Sequence, residues 1–426
     1  MAERESMKRP IRKLTVRNFS VIKEAELEFG KITVLIGPQA SGKSLLCKLA
    51  FFLGREVVKI AIDMAVNQRP YTEFRSSVQR EFEKWFPKGG WGSEEWSISF
   101  IESDYKVTIS SPTRIDQSHE IVFSSCPLFE HSYAEQLQET LQNQRKQGFV
   151  LAPAIQSRAA TKFFKIAGRG VWDASTYIPG QRSYFVDTKK GYRSLAAEAD
   201  PISAHFADVF ANGLKPNSSE SRVTRFLHGQ IMSWQNEWMF AFQDGRFLPL
   251  SDLSSGDKES LPILTTLDYY ESQRSQSGNL PSAELYNEKL YGFDDFTIEE
   301  PELSVFPKTQ YRIVQEIAGL SNKSDFNPHF TITTHSPYIL AAFNNLIEAS
   351  QVASVKPEAT EEVARVIGRH FWVKPEDLRA YSINNGTLES IIAEDTGLIS
   401  TNYLDSVSET IGAEFDELLR LGYVES

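Results

Sequence analysis

Cysteine is scarce in this chain of 426 residues: Cys47 and Cys126 are the only two. Two thiols make no disulfide framework, which leads us to expect a reducing, cytoplasmic setting. Seven scattered histidines, with no Cys/His cluster, argue against a structural zinc site. No run of about 18 apolar residues occurs, so no transmembrane helix and no membrane partner are expected. The opening Met1-Ala2-Glu3-Arg4-Glu5 lacks the apolar segment of a signal peptide. An excess of positive charge is missing too, since 45 Lys and Arg stand against 56 Asp and Glu, a net charge of −11. Phosphate neutralisation drives nonspecific DNA binding, so an acidic chain is a poor default DNA binder. Local basic groups remain, Lys189-Lys190 with Arg193 and Arg145-Lys146, and ordinary solvated surface is the simpler account of each.

What is present is the material of a folded core, 41% hydrophobic residues with 12% aromatics. The length suits two or three domains, or one large domain with an inserted arm. Neither an internal repeat nor a low-complexity segment interrupts it.

The most informative stretch is Gly37-Pro38-Gln39-Ala40-Ser41-Gly42-Lys43-Ser44. It fits G-x-x-x-x-G-K-[ST], follows the β-branched run Ile32 to Ile36, and precedes a helix-compatible run, Leu45 to Leu53. The glycines let the backbone close around a polyphosphate, and the new helix aims its positive end at the anion. Lys43 is expected to reach the β- and γ-phosphates of ATP, and the Ser44 hydroxyl to be a ligand of Mg²⁺. The alternative is an accidental glycine turn, which the flanking strand and helix disfavour.

Around that loop the chain reads as follows. The opening is a β-meander, Ile11 to Val16, Ile22 to Phe29 and Ile32 to Ile36, with Ala25, Leu27 and Phe29 alternating against Glu24, Glu26 and Glu28. Residues 1–54 are expected to form an N-terminal lobe carrying the phosphate loop. Residues 55–170 read as an inserted, mainly helical arm around a strand pair, Ser97 to Ile101 and Tyr105 to Ile109. The polar run Ala134 to Lys146 and its continuation to Lys165 are too short for a long coiled coil. Residues 171–350 form a second lobe, with a helical region from Ile202 to Trp234 and a hairpin turning at Asp244-Gly245. Residues 351–426 are a C-terminal region with a strand-like Leu378 to Ile383, an Asn384-Asn385-Gly386 turn and a last helix near Ser406 to Leu421.

Three further segments carry chemistry. Glu299-Glu300 ends the apolar run Phe296 to Ile298, and a carboxylate at such a strand's C-terminal edge sits where α/β folds bind ligands. Glu299 can hold Mg²⁺, directly or through water, while Glu300 can orient and deprotonate the attacking water. A plain helix start is the competing account, because Glu-Pro-Glu suits a first turn. His335 follows Phe330 to Thr333 and can hydrogen-bond a γ-phosphate oxygen, although a lone histidine at a strand end is usually structural. Leu253-Ser254-Ser255-Gly256 opens a helix after the hairpin, and its Ser255 and Gly256 amides can grip a γ-phosphate offered by another subunit.

Taken in order, these motifs resemble the ABC-type ATPase heads of the RecF/SMC/OLD-like group. Glu299-Glu300-Pro301-Glu302-Leu303-Ser304-Val305-Phe306-Pro307 and Tyr177-Ile178-Pro179-Gly180-Gln181-Arg182-Ser183 look like the OLD-type branch, which includes ATPase subunits of bacterial anti-phage systems such as PARIS-type and Septu-type. The resemblance runs through about Leu340. It implies an α/β fold, an ABC-type head with a P-loop mixed sheet and flanking helices, a helical insertion and a small C-terminal α/β region. It also implies a head-to-head dimer, with ATP between one copy's phosphate loop and the other's Ser255-Gly256 signature. Glu299 and Glu300 take the metal and water roles, His335 the switch role, and Gln181 the metal-sensing role, with Arg182 as the competing candidate there. Departures are the Glu-Glu pair where Asp-Glu is commoner, Ser255 and Asp257 at signature positions, and Phe306-Pro307 in the following loop. These departures point to slow turnover or to tight holding of ATP.

OLD nucleases carry a C-terminal TOPRIM module, and the tail after His335 shows no Asp-x-Asp pair. The expectation is therefore an ATPase acting as sensor or scaffold of an anti-phage complex, holding a separate toxic effector, a nuclease, until a phage component triggers release. The competing readings are a RecF/SMC-like DNA-repair or DNA-tethering ATPase and a small-molecule kinase.

Overall fold

The structure, a computed structural model, describes residues 12–92, 95–111, 121–147, 175–187, 200–216, 220–277, 294–323, 328–400 and 412–420. The continuation of the arm to Lys165 and the Lys189-Lys190-Arg193 group lie outside these residues. Of the expected last helix, residues 412–420 are described and are helical.

Fourteen strands are described: β1 (Arg12–Phe19), β2 (Ile22–Glu28), β3 (Ile32–Ile36), β4 (Ser97–Glu102), β5 (Tyr105–Ser110), β6 (Val122–Ser125), β7 (Ser175–Ile178), β8 (Gly229–Trp234), β9 (Glu237–Phe242), β10 (Phe247–Pro249), β11 (Asp295–Glu299), β12 (His329–Thr334), β13 (Leu378–Asn384) and β14 (Thr387–Ser390). Eleven of them form one mixed sheet in the order β6-β5-β4-β1-β2-β14-β13-β3-β12-β11-β7. The expected α/β class is what the molecule shows, a large mixed sheet with helices packed against it.

The sheet has two halves of different character. From β6 to β2 every pairing is antiparallel. From β13 to β7 every pairing is parallel, and β3 at its heart is buried along its whole length. A strand buried on both faces reads as a continuous apolar run, which is why Ile32 to Ile36 shows no alternation. β2, by contrast, alternates buried Ala25 and Leu27 with exposed glutamates.

Two differences from the expected order have physical causes. β2 and β3 do not pair with each other, because the C-terminal hairpin β13–β14 lies between them, with β13 parallel to β3 and Thr387 opposite Glu24. Gly229–Trp234, expected as the end of a helical region, is instead the strand β8. His228 takes a left-handed conformation, φ 55°, which stops the helix Arg222–Leu227, and β8 then pairs with β9 in a separate three-stranded sheet. Six residues of mixed character, GQIMSW, are too few to show a period that separates strand from helix.

Within the 55–170 stretch, β4 to β6 extend the large sheet from β1, and the helices Val57–Val66, Tyr71–Trp85 and Pro127–Gln147 pack beside them. Five strands separate β1 from β11 in the sheet order, yet Arg12 bonds both Asp295 oxygens, at 2.8 and 2.6 Å. The sheet therefore curls. One apolar core fills the curl with the helix Lys43–Phe51, the π turn Phe52–Glu56 and the arm strands. A second core lies under the parallel half with the helices Pro201–Gly213, Ser255–Ser277, Pro307–Ser321 and Pro337–Val355. Among the described residues no helix is long and apolar enough to cross a membrane.

Candidate functional site

The parallel half of the sheet sets the site. β3, β12 and β11 run side by side in register, Phe330 opposite both Ile32 and Phe296, so their C-terminal ends emerge together. Each end carries one of the singled-out segments: the loop from Gly37 after β3, Glu299-Glu300 after β11, and His335 after β12. Ligands of open α/β sheets bind at that edge.

The loop closes tightly against its surroundings. A Cβ on Gly37 would stand 2.5 Å from the Ile383 carbonyl oxygen on β13. One on Gly42, whose φ is 106°, would stand 2.4 Å from Ile22. Ala40 takes φ 60° in the same turn. The helix Lys43–Phe51 starts directly from the loop, so its first-turn amides have no intrahelical acceptors. Inside the loop the buried Ser41 Oγ finds no protein partner. Nor does Thr333 Oγ1, at the end of β12. Orphaned polar atoms beside a helix N-terminus are what a polyphosphate would satisfy.

Lys43 is nearly closed off from solvent. Its ammonium donates to the Gly37 and Pro38 carbonyls at 2.8 and 2.9 Å, and Nζ lies 3.2 Å from His335 Nε2. Burial lowers its pKa from the ordinary lysine value, against the pull of Glu300 and Glu302. His335 Nε2 also stands 3.3 Å from a Glu300 oxygen. One nitrogen cannot accept from Lys43 and donate to Glu300 at once. A change of tautomer or protonation therefore moves the imidazole's bond from one partner to the other.

The two carboxylates of the acidic pair have different surroundings. Glu299 is buried, with Oε1 accepting from the Tyr177 hydroxyl at 2.6 Å and Oε2 from the Gly180 amide at 3.0 Å. Glu300 is partly exposed and takes φ 44°, left-handed for a residue with a side chain, while its amide donates to the Thr333 carbonyl at 2.8 Å. Glu302, which the sequence reading left without a role, accepts from the His335 amide at 2.6 Å. Burial raises its pKa above the usual carboxylate value.

A cavity of about 860 Å³ opens beside this group, lined among others by Gln39, Ser44, Gln181, Glu299 and Glu300. The structure thus brings Ser44, Gln181 and both glutamates around one space, with Gln181 exposed. Ser255 and Gly256 do not line it. Ser255 is exposed at the start of its helix, where Ser254 Oγ accepts from the Asp257 amide and caps the turn. Gly256 sits against the loop after the acidic pair, and a Cβ there would lie 3.1 Å from the Ser304 carbonyl oxygen.

Arg182 is the side chain whose placement the sequence did not convey. It is completely buried and bonds the main chain of Pro179, Glu259, Glu299 and Glu300. It makes no contact with the cavity, whereas its neighbour Gln181 lines it.

Residues 156–341 match the family model described as "AAA domain, putative AbiEii toxin, Type IV TA system". That stretch is less than half of the chain. It begins after the phosphate loop and holds Gln181, Ser255-Gly256, Glu299-Glu300 and His335. No curated protein matches the chain. Among solved structures, it is similar to an SMC head domain from Thermotoga maritima at 13% identity and TM-score 0.35, covering 91% of this chain and 100% of that one. It is also similar to an Smc head domain from Pyrococcus furiosus, bound to the C-terminal domain of ScpA, at 11% identity and TM-score 0.39, covering 94% and 99%. A third is an ATP-binding cassette of an ABC transporter in its ADP conformation, at 11% identity and TM-score 0.34, covering 93% and 96%.

Proposed function

We propose that this chain is an ATP-binding and ATP-hydrolysing head that works as a pair. The observation that carries this is the meeting of Lys43, Glu300 and His335, from three separate strand ends, at one orphan-lined loop. The Gly37 to Ser44 backbone would hold the phosphates. Lys43 would exchange its loop carbonyls for β- and γ-phosphate oxygens.

The donor set fits Mg²⁺, a hard cation that takes oxygen ligands and relies on substrate phosphates for several of them. Among the described residues no cluster of three or more His, Cys, Asp and Glu side chains could hold a metal alone. The Ser44 hydroxyl, with Glu299 and Gln181 across the cavity, would share the ion with ATP. When bound, it neutralises charge on the phosphates. Glu299 is held in aim by Tyr177 and Gly180, and the more exposed Glu300 is free to take a proton from water. His335 would turn from Lys43 or Glu300 toward the γ-phosphate and report whether it is present.

Ser255 is exposed, Gly256 is half-buried, and both lie outside the cavity of their own chain, which supports a role on the nucleotide of a second copy. The biological reading we favour is the sensor or scaffold subunit of an anti-phage defence complex, controlling a separate toxic effector, a nuclease. The matched family description, a toxin of a toxin–antitoxin system, supports a setting of that kind.

The test is hydrolysis and assembly together. Lys43→Ala should abolish ATP binding. Glu300→Gln should keep binding, stop turnover and accumulate an ATP-bound dimer by light scattering. Wild-type turnover in Glu300→Gln would refute the catalytic assignment. Copurification with the product of the neighbouring gene tests the effector, and an inert neighbour with no nuclease or toxin character would sink that part. Strong, salt-sensitive, ATP-stimulated DNA binding would instead favour a DNA-tethering ATPase.

A further inference from the structure

Arg182 joins two parts of the molecule that the ATPase reading treats separately. Its Nη1 donates to the Glu299 carbonyl at 2.7 Å and the Pro179 carbonyl at 3.3 Å, and its Nη2 donates to the Glu300 carbonyl at 3.1 Å. On the opposite edge of the same guanidinium, Nε donates to the Glu259 carbonyl at 2.7 Å and stands 3.4 Å from a Glu259 carboxylate oxygen. Glu259 lies in the helix Ser255–Ser277 that begins at the signature turn. One rigid plane therefore ties the main chain of the acidic pair to the helix presented to the partner's nucleotide.

Three features make this more than a packed cation. First, burial lowers the Arg182 pKa, so the site carries an unfavourable charge whose main counter-ion is Glu259. Second, the bonds on the acidic pair go to backbone carbonyls, and they fall on Glu300, whose left-handed φ of 44° needs surrounding structure to hold it. Third, the plane is used on two edges at once, which a lysine ammonium cannot reproduce. Gly256 adds a second contact in the same direction, since the signature turn rests on the Ser304 carbonyl in the loop that follows Glu300.

We infer that Arg182 is a positioning residue that transmits the position of the signature helix to Glu300 within one chain. A helix drawn toward the partner's γ-phosphate pulls on Glu259. Arg182 carries that shift to the Glu299 and Glu300 carbonyls, and so to the aim of the Glu300 carboxylate. Hydrolysis in one site is thereby set by nucleotide in the other. The inference rests on the paired ATPase reading above.

Two variants test it, Glu259→Gln, which keeps size and the main-chain bond but removes the counter-charge, and Arg182→Lys. Neither residue lines the phosphate cavity. Both proteins are compared with wild type in ATP titrations of turnover, in binding of a fluorescent ATP analogue, and in thermal melts. The expected result is a kcat lowered about 10- to 100-fold, as for displacement of a reacting group by a distant change. Analogue affinity should stay unchanged, and the sigmoid ATP dependence that the paired reading expects of wild type should become hyperbolic. Disturbing a buried ion pair lowers the melting temperature in either case, so the titration decides: a merely structural role would leave its shape intact. If Arg182→Lys does not fold, Glu259→Gln decides. A folded Glu259→Gln with wild-type kcat and a wild-type sigmoid overturns the inference. Glu300→Gln, run alongside, separates the two levels: turnover there would remove the ATPase assignment itself, whereas its loss beside an unaffected Glu259→Gln removes only the coupling.

Discussion

The hydroxyl of Tyr177 donates to Glu299 Oε1 at 2.6 Å, in a place closed to solvent. The sheet register makes the pair. Tyr177 lies opposite Thr297 on the parallel strands β7 and β11, so Thr297, Glu299 and the tyrosine share one face. The edge of Phe51, 5.6 Å away on the helix that follows the phosphate loop, fixes the ring. Burial, and next the Glu299 charge, push the phenol pKa well above its usual value, so the proton stays with the tyrosine.

Tyr177→Phe should therefore leave packing intact and one oxygen of a buried carboxylate without its donor. Hydrogen bonds to charged groups contribute about 1.5–3 kcal/mol. A loss of that order is expected in the free energy of urea unfolding. An unchanged transition midpoint would show that the bond does not hold Glu299 in place.

Glu302 supplies a prediction in pH. Its pKa is raised from the ordinary 4.5 chiefly by burial, against the opposing His335 amide. A carboxyl that holds its proton more tightly folded than unfolded costs stability as pH rises from 4.5 through the raised value, and the full cost remains at neutral pH. Glu302→Gln keeps an oxygen for the His335 amide and removes the charge. The variant's gain in melting temperature over wild type should be largest near neutral pH and shrink as pH falls toward 4.5. A gain that does not vary with pH would contradict a desolvated Glu302.

The bidentate pair of Arg12 and Asp295 holds the curl of the sheet, with Glu102 beside it at 3.4 Å and Phe29 under the guanidinium at 4.4 Å. Breaking a buried pair by removing one partner costs about 3–5 kcal/mol, because the remaining charge stays buried. Arg12→Met and Asp295→Leu should each show a loss of that order in denaturant. The double variant should lose less than the sum, and strict additivity would show that the two charges are not coupled.

The phosphate loop was legible because its chemistry is local: eight consecutive residues with a strand before them and a helix after. Glu299-Glu300 and His335 were legible for a similar reason, since one closes the run Phe296 to Ile298 and the other follows the strand-like Phe330 to Thr333. What escaped was long-range. The β13–β14 hairpin enters the sheet between β2 and β3, yet nothing in Leu378 to Ser390 names its neighbours. Arg182 grips main-chain carbonyls, which every residue has, so no partner type marks it in advance. The same holds for Tyr177, whose bond to Glu299 follows from register between strands more than a hundred residues apart.

The last prediction concerns the surface around the site. Phe306 is 76% exposed and Tyr338 56%, on the segments that follow the acidic pair and His335. Two aromatic rings left in water beside the proposed paired site suit an interface between copies, where aromatic anchors carry much of the binding energy. Phe306→Ser, made with Glu300→Gln so that ATP is held, should weaken the ATP-dependent dimer by about tenfold or more in sedimentation. The monomer's melting temperature should not change, because the ring touches little of its own chain. A dimer of unaltered affinity would mean that the copies meet through another face, and the assignment of Ser255 and Gly256 to the partner's nucleotide would fall with it.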